Sequence, residues 1–167
     1  MTGRLTVAPL LPEHRTLVEH IVRATGVFSD AEIAVAIELF DDTFSSASAG
    51  ESDYEFVGAF ADDRLVGYAC FGATPSTDRT YDLYWIAVHP QAQRSGAGAA
   101  LMADLERRLA ERQARLVTIE TSSRTDYAAT RQFYHQRGYV EAARLRDFYA
   151  LGDDRVILTK RLASAHG

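Results

Sequence analysis

Residues 81–102, YDLYWIAVHPQAQRSGAGAALM, decide how this chain is read. They divide into an apolar strand over 81–88, a short loop holding Gly96 and Gly98, and the start of a helix. Leu83, Trp85, Ile86, Ala87 and Val88 put apolar side chains on both faces of the strand, the pattern of a central strand covered on each side. From Gly98 onward Leu101, Met102, Leu105 and Leu109 recur at helical spacing, with Glu106, Arg107, Glu111 and Arg112 on the opposite face, which predicts a strongly amphipathic helix. A loop of this kind turns backbone N–H groups toward a helix N-terminus, where unpaired donors and the helix dipole favour an anion. The expectation is therefore a phosphate-binding loop. Residues 115–121, RLVTIET, form the next strand, so strand, loop, helix and strand make a crossover unit expected to be parallel and right-handed.

Working outward, residues 5–8 are a short strand candidate, and residues 12–25 carry Leu17, Val18 and Ile21 at helical spacing, with Gly26 placed to end the helix. Ser29 and Glu32 have the spacing of a capping box before Ile33, Ala36, Ile37 and Phe40, so a second helix runs to about Thr43. Residues 45–53 read as a surface loop. Residues 54–61 and 64–71 read as an antiparallel hairpin around Asp62 and Asp63, followed by a loop over 72–79. Residues 128–137 give a short helix ending at Gly138, and residues 139–148 and 155–160 give two last strands around a Gly152-Asp153-Asp154 turn. The sum is a mixed α/β fold of about seven strands and about four helices, in one domain over residues 1–167.

Composition narrows the function. The chain has 167 residues, 47% of them hydrophobic, enough for a real core, and a formal charge of −5 that supplies no basic face for nucleic acid. Neither a signal peptide pattern nor a membrane-length apolar run is visible, so a soluble cytoplasmic protein with no membrane partner is expected. The single cysteine, Cys70, lies in an apolar run and reads as a small core residue. His14, His20, His89, His135 and His166 have no metal-ligand spacing and read as surface or capping residues, so no metal is expected.

Two glycines before a helix often mark only a tight turn, and the loop lacks the full spacing of a dinucleotide fingerprint or of a P-loop with its Lys-Ser/Thr. Its surroundings add more. The order strand, IAVHP, QAQRSGAG, amphipathic helix, strand and then FYHQRGY resembles the GCN5-related N-acetyltransferase (GNAT) superfamily, whose pyrophosphate loop follows a Q/R-x-x-G-x-G/A pattern matched by Gln93, Gly96 and Gly98. The resemblance spans roughly residues 54–160. It implies a central, mostly antiparallel mixed sheet with a parallel, splayed strand pair, and acetyl-coenzyme A as co-substrate. It also implies that backbone groups of Gln93, Arg94, Ser95, Gly96, Ala97 and Gly98 hold the pyrophosphate, with charge from Arg94. By the same resemblance a kink between Tyr84 and Val88 frees main-chain groups of Ile86, Ala87 and Val88. The Ile86 N–H then polarises the thioester carbonyl and Val88 pairs with the pantetheine amides.

Tyr134 matches the tyrosine that this family commonly uses to protonate the departing thiolate, although Phe133, Tyr134 and Tyr139 also suit a core of aromatic rings. Glu120 matches in position a glutamate that ribosomal-protein alanine acetyltransferases use as general base; Asp82, Tyr84 and Asp147 are rival bases. Two departures stand out. Tyr127 occupies the place where many relatives carry a coenzyme-contacting asparagine, and the interval from Glu120 to Tyr134 is about two residues longer than in the alanine acetyltransferases. Tyr149, Asp153 and Asp154 are candidates to line an acceptor site, although a Gly-Asp-Asp triple is also a common turn.

The implied activity is direct transfer of an acetyl group to a primary amine of a small molecule, peptide or protein. The competing readings are a non-catalytic acyl-coenzyme A-binding module and a generic nucleotide-binding domain; the missing P-loop lysine and ribose-binding acid argue against the latter. Family members often dimerise, so a homodimer is a further partner the resemblance allows.

Overall fold

Among the described residues, seven strands and four α-helices follow one another in the order the sequence suggests. A computed structural model describes residues 3–45 and 52–162 of the protein. The elements are β1 (Leu5–Pro9), α1 (Arg15–Thr25), α2 (Asp30–Thr43), β2 (Glu55–Ala61), β3 (Arg64–Ala73), β4 (Thr80–Val88), α3 (Ala97–Glu111), β5 (Leu116–Ser122), α4 (Ala128–His135), β6 (Val140–Ala150) and β7 (Asp153–Arg161). The strands follow the order β1-β2-β3-β4-β5-β7-β6 in one sheet. The β1/β2, β2/β3, β5/β7 and β6/β7 pairs are antiparallel and β4/β5 is parallel, so the sheet is mixed and mostly antiparallel.

Local chemistry accounts for the element ends. Ser29 accepts from the Glu32 N–H while the Glu32 carboxylate accepts from the Ser29 N–H, completing the capping box that starts α2. Gly26 follows α1 in the left-handed region at φ +71°. Asp62 and Asp63 both have positive φ, +47° and +65°, the condition for a two-residue hairpin whose twist matches its strands. Aspartate tolerates this region better than most residues, and the Asp62 carboxylate also accepts from the Arg4 N–H at 3.1 Å.

The structure shifts several expected boundaries. Pro12–His14 is a single 3-10 turn ahead of α1, because the His14 ring takes the Leu11 N–H at 2.9 Å and closes a tight entry. Val18, Ile21 and Val22 face the core, whereas Leu17 is 45% exposed. Helix α3 begins one residue before Gly98, at Ala97. Helix α4 stops at His135 rather than Arg137, since the Arg137 and Gly138 N–H groups turn back to Tyr134 and His135 ahead of left-handed Gly138. Strand β7 starts at Asp153, so Asp153 and Asp154 are strand residues and Leu151-Gly152 is the turn. Of the predicted 45–53 loop, residues 46–51 lie outside the described residues.

The chain forms two compact units, Met1–Gly72 with Trp85–Arg108, and Ala73–Tyr84 with Leu109–Gly167. In the first, Val18, Ile21, Ile33, Phe40, Phe56 and Tyr68 form the centre of one buried cluster. Cys70 is fully buried in it, and burial pushes its thiol pKa up, so it stays protonated and behaves as a small apolar residue. In the second, Val117, Ile119, Tyr134, Tyr139, Val156 and Leu158 are buried.

Leu105 of α3 has no exposed surface. Leu105→Ala removes a fully buried side chain and is expected to destabilise the protein by about 2–5 kcal/mol, measured as a lower urea midpoint.

Candidate functional site

In the first unit, β4 ends at Val88 and the chain turns at His89-Pro90 into a 3-10 turn over Pro90–Ala92. The His89 ring nitrogen accepts the Gln91 N–H at 3.2 Å, so this histidine caps, as His14 does. Strand β3 approaches closely here: a Cβ on Gly67 would lie 3.0 Å from the Ala87 carbonyl oxygen and 3.1 Å from the Val88 side chain. The His89 N–H donates to the Val66 carbonyl at 2.8 Å. Glycine at 67 thus seats the last turns of β4 against β3.

The loop that follows has two left-handed residues, Arg94 at φ +63° and Gly96 at φ +88°, two positions apart. The Ser95 hydroxyl donates to the Ala92 carbonyl, and the Gly96 carbonyl takes the Ala100 N–H at 2.9 Å as the first bond of α3. Turns of this kind present successive N–H groups on one side and make concave anion sites. Gln93, Arg94, Ser95 and Gly96 are exposed, Ala97 is buried, and nothing lies within 4 Å of where a Gly96 Cβ would stand. Gly98 has helical backbone within α3, and its φ is not positive. Ala87 is buried, and Ile86 and Val88 are half-buried.

In the second unit, Tyr134 is 4% exposed, with ring contacts to Phe133 at 5.4 Å and Tyr139 at 6.0 Å. Burial pushes its phenol pKa up, so it carries its proton across the neutral range. Tyr127 precedes α4, half-buried, with the Arg124 guanidinium 5.4 Å above its ring. Glu120 sits on β5 opposite Ile157 of β7 and accepts from the Arg155 guanidinium, which also lies 4.9 Å over the Phe148 ring. Sequence reasoning singled out Glu120 but not Arg155; its spacing to Glu120 is set by β-strand register, which no local motif signals.

The rival bases divide. The Asp147 carboxylate takes the Gly152 N–H at 2.7 Å and holds the β6/β7 turn. Asp153 accepts from the Ser122 hydroxyl, while Asp154 accepts from Arg144 at 2.9 Å and from the Asp147 N–H at 3.0 Å. The Asp147 N–H bond and the Arg144 guanidinium hold the Asp154 carboxyl below its usual pKa. Asp153 and Asp154 are braces of the hairpin. Asp82 accepts from three hydroxyls: Thr74 at 2.7 Å, Tyr84 at 3.3 Å, and Thr118.

His20 stacks on His89 at 5.3 Å, and the His135 ring nitrogen lies 3.0 Å from the Tyr139 carbonyl; His166 falls outside the described residues. Among the described residues no three His, Cys, Asp or Glu side chains are grouped to hold a metal ion, and no helix is long and apolar enough to cross a membrane.

A turn loop thus leads into an amphipathic helix from a strand that pairs in parallel with the next one. The profile of the Acetyltransferase (GNAT) family matches residues 18–139, and the chain belongs to that family of acetyltransferases. A GNAT-family protein from Desulfovibrio desulfuricans is 42% identical with a TM-score of 0.90, covering 96% of this chain and all of its own. The ribosomal-protein-S18-alanine N-acetyltransferase of Escherichia coli is 20% identical with a TM-score of 0.76, over 98% of this chain and 99% of its own. An aminoglycoside 6'-N-acetyltransferase solved with coenzyme A is 16% identical with a TM-score of 0.73, over 97% and 99%. These last two share the fold. No curated protein matches the chain.

Gly96→Ala meets no steric obstacle but forces an L-residue into left-handed backbone, at a cost of about 1–2 kcal/mol. The expected outcome is a lower urea midpoint with an unchanged slope.

Proposed function

We propose that the protein is an acetyl-coenzyme A-dependent N-acetyltransferase that passes the acetyl group directly to a primary amine of a small molecule, peptide or protein. The observation that carries this reading is the Gln93-x-x-Gly96-x-Gly98 turn, left-handed at Arg94 and Gly96, in a chain of the acetyltransferase family. The open space over Gly96 suits a pyrophosphate resting on backbone N–H groups of Gln93, Arg94, Ser95, Gly96, Ala97 and Gly98. Arg94 adds charge there, and Tyr127 is the proposed contact to the rest of the coenzyme. The family match runs through both compact units, which supports treating residues 1–167 as one acetyltransferase domain.

The donor supplies a thioester. In the transfer a C–N bond forms to the amine and the C–S bond breaks, so one proton leaves the nitrogen and one reaches the sulfur. On this reading Ile86 N–H polarises the carbonyl, while Ala87 and Val88 contribute main-chain groups to the pantetheine arm. Tyr134 delivers the proton to sulfur. Its raised pKa suits the role, because an acid must still hold its proton at working pH, and a thiolate in the same dry surroundings is itself more basic. Glu120 takes the proton from the acceptor through the carboxylate oxygen not engaged by Arg155, directly or by way of one water.

Titration with acetyl-coenzyme A followed by thiol release over an amine panel tests the reading. Binding with turnover supports it; binding without turnover on any amine favours the acyl-coenzyme A-binding module. Tyr134→Phe is expected to lower kcat by about 100-fold with acetyl-coenzyme A affinity unchanged. Since the Tyr134 pKa is raised, the wild-type rate is expected to show no loss from this group as pH rises from 8 to 10, checked by a pH–kcat profile. Glu120→Gln is expected to lower kcat about 10–100-fold.

A further inference from the structure

Helix α4 carries Tyr134 on only eight residues, about two turns. Alone, a helix this short is marginal in water, and its N-cap residue, Tyr127, makes no side-chain capping bond. Its place therefore depends on bonds to other elements. The Arg131 side chain supplies two of them: its guanidinium Nη1 donates to the Ser122 carbonyl at 2.7 Å and to the Arg124 carbonyl at 2.9 Å. Ser122 is the last residue of β5, the strand that bears Glu120, and Arg124 lies in the bend that follows.

That bend is itself fastened. The Ser123 N–H donates to the Asp154 carbonyl at 3.0 Å, the Asp154 N–H donates to the Ser123 hydroxyl at 2.7 Å, and the Arg124 N–H donates to the Ser122 hydroxyl at 3.0 Å. Arg131 thus ties α4 to a segment already held on β7, and all of these residues belong to the second compact unit. Residues 131 and 134 are i and i+3, neighbours on one side of the helix. The Tyr134 ring packs against Phe133 and Tyr139, so its phenol goes where α4 goes. Arginine suits such a tether, because its planar fork fixes the direction of its donors, whereas an ammonium on a flexible stem does not.

We propose that Arg131 is the positioning residue for Tyr134: by pinning α4 to the end of β5 it holds the phenol where it can deliver its proton to the departing sulfur. This rests on the reading of Tyr134 as the acid of the acetyl transfer. Arg131 is assigned no contact with donor or acceptor and exchanges no proton. Its two bonds keep the helix from shifting, so the phenol meets the sulfur without a search. A misplacement of about 1 Å can cost about 100-fold in rate. Loss of this tether alone costs less, because the ring contacts of Tyr134 remain.

The test is a double-mutant cycle on the full chain, with thiol release measured at saturating acetyl-coenzyme A for putrescine, kanamycin and an alanine-initiated peptide. Arg131→Met keeps an unbranched stem and removes the donors. It is expected to lower kcat about tenfold for whichever amine is turned over, with the KM of that amine within about threefold of wild type. Acetyl-coenzyme A affinity, read by calorimetry, is expected to stay within the same range. In the Tyr134→Phe background the same substitution is expected to change kcat by less than about twofold, because the group it positions is gone. An unchanged kcat in Arg131→Met overturns the inference, as does an equal loss in both backgrounds, the mark of general loosening. If Tyr134→Phe alone leaves kcat at the wild-type value, the acid assignment falls and takes the inference with it. If the wild type releases no thiol with any of the three amines, the acetyltransferase reading itself falls, with the same consequence. Should Arg131→Met give no folded product, Arg131→Gln, shorter and uncharged, runs the same cycle: a loss present only with Tyr134 in place supports the inference, and any other result overturns it.

Discussion

The Asp82–Thr118 bond ties β4 to β5 one pair before their parallel pairing stops. Four residue pairs form the ladder, from Thr80 opposite Leu116 to Leu83 opposite Ile119, and then it ends while β5 continues against β7 as far as Ser122. A strand that leaves a ladder in mid-course must find other partners for its N–H and C=O groups. On the β3 side the His89 N–H, just past the end of β4, donates to the Val66 carbonyl. The Asp82 carboxylate is therefore a structural tie between the two strands.

The Arg155 guanidinium performs a similar service on the opposite strand. It bonds Glu120 and covers the Phe148 ring, so one flat cation links β5, β6 and β7. Arginine suits this place where lysine would not, because its planar group can stack on a ring while its edge donates to a carboxylate. Its Nε is buried without a partner, so the guanidinium is held by stacking and by one edge rather than by full saturation. The Asp153–Ser122 and Asp154–Arg144 contacts fasten the same hairpin from its turn end.

Much of this architecture was legible in the residues. Helical periodicity found α1 to α4, the capping box placed the start of α2, and the alternation of apolar runs with turn residues gave all seven strands. The loop over residues 93–98 was readable because a turn before a helix leaves a local signature. What escaped was register. Glu120 and Arg155 are 35 positions apart, Asp82 and Thr118 36, and no short motif encodes a bond formed only when two strands align. Asp153 and Asp154 misled for the same reason: in sequence they complete a Gly-Asp-Asp turn, but their carboxylates are recruited by Ser122 and Arg144, and the backbone continues as strand. Tyr134 admits two readings from sequence, and in the structure it is a buried ring among aromatics and a phenol that keeps its proton.

Strand β6 lies at the end of the sheet order, and all eleven of its residues are exposed, including Val140, Leu145, Phe148 and Tyr149. A long apolar edge of this kind is a template on which stray chains can polymerise. Here the template is interrupted. Its pairing with β7 breaks between Leu145 and Ala150, where Asp147 takes a left-handed backbone at φ +51°, and Arg144, Arg146 and Asp147 place charges along the same stretch. A foreign strand could not follow the kink without losing register, nor shed water from those charges cheaply. The bend that shapes the β6/β7 hairpin thus also acts as a guard against aggregation, and it does so with the same Asp147 that closes the turn.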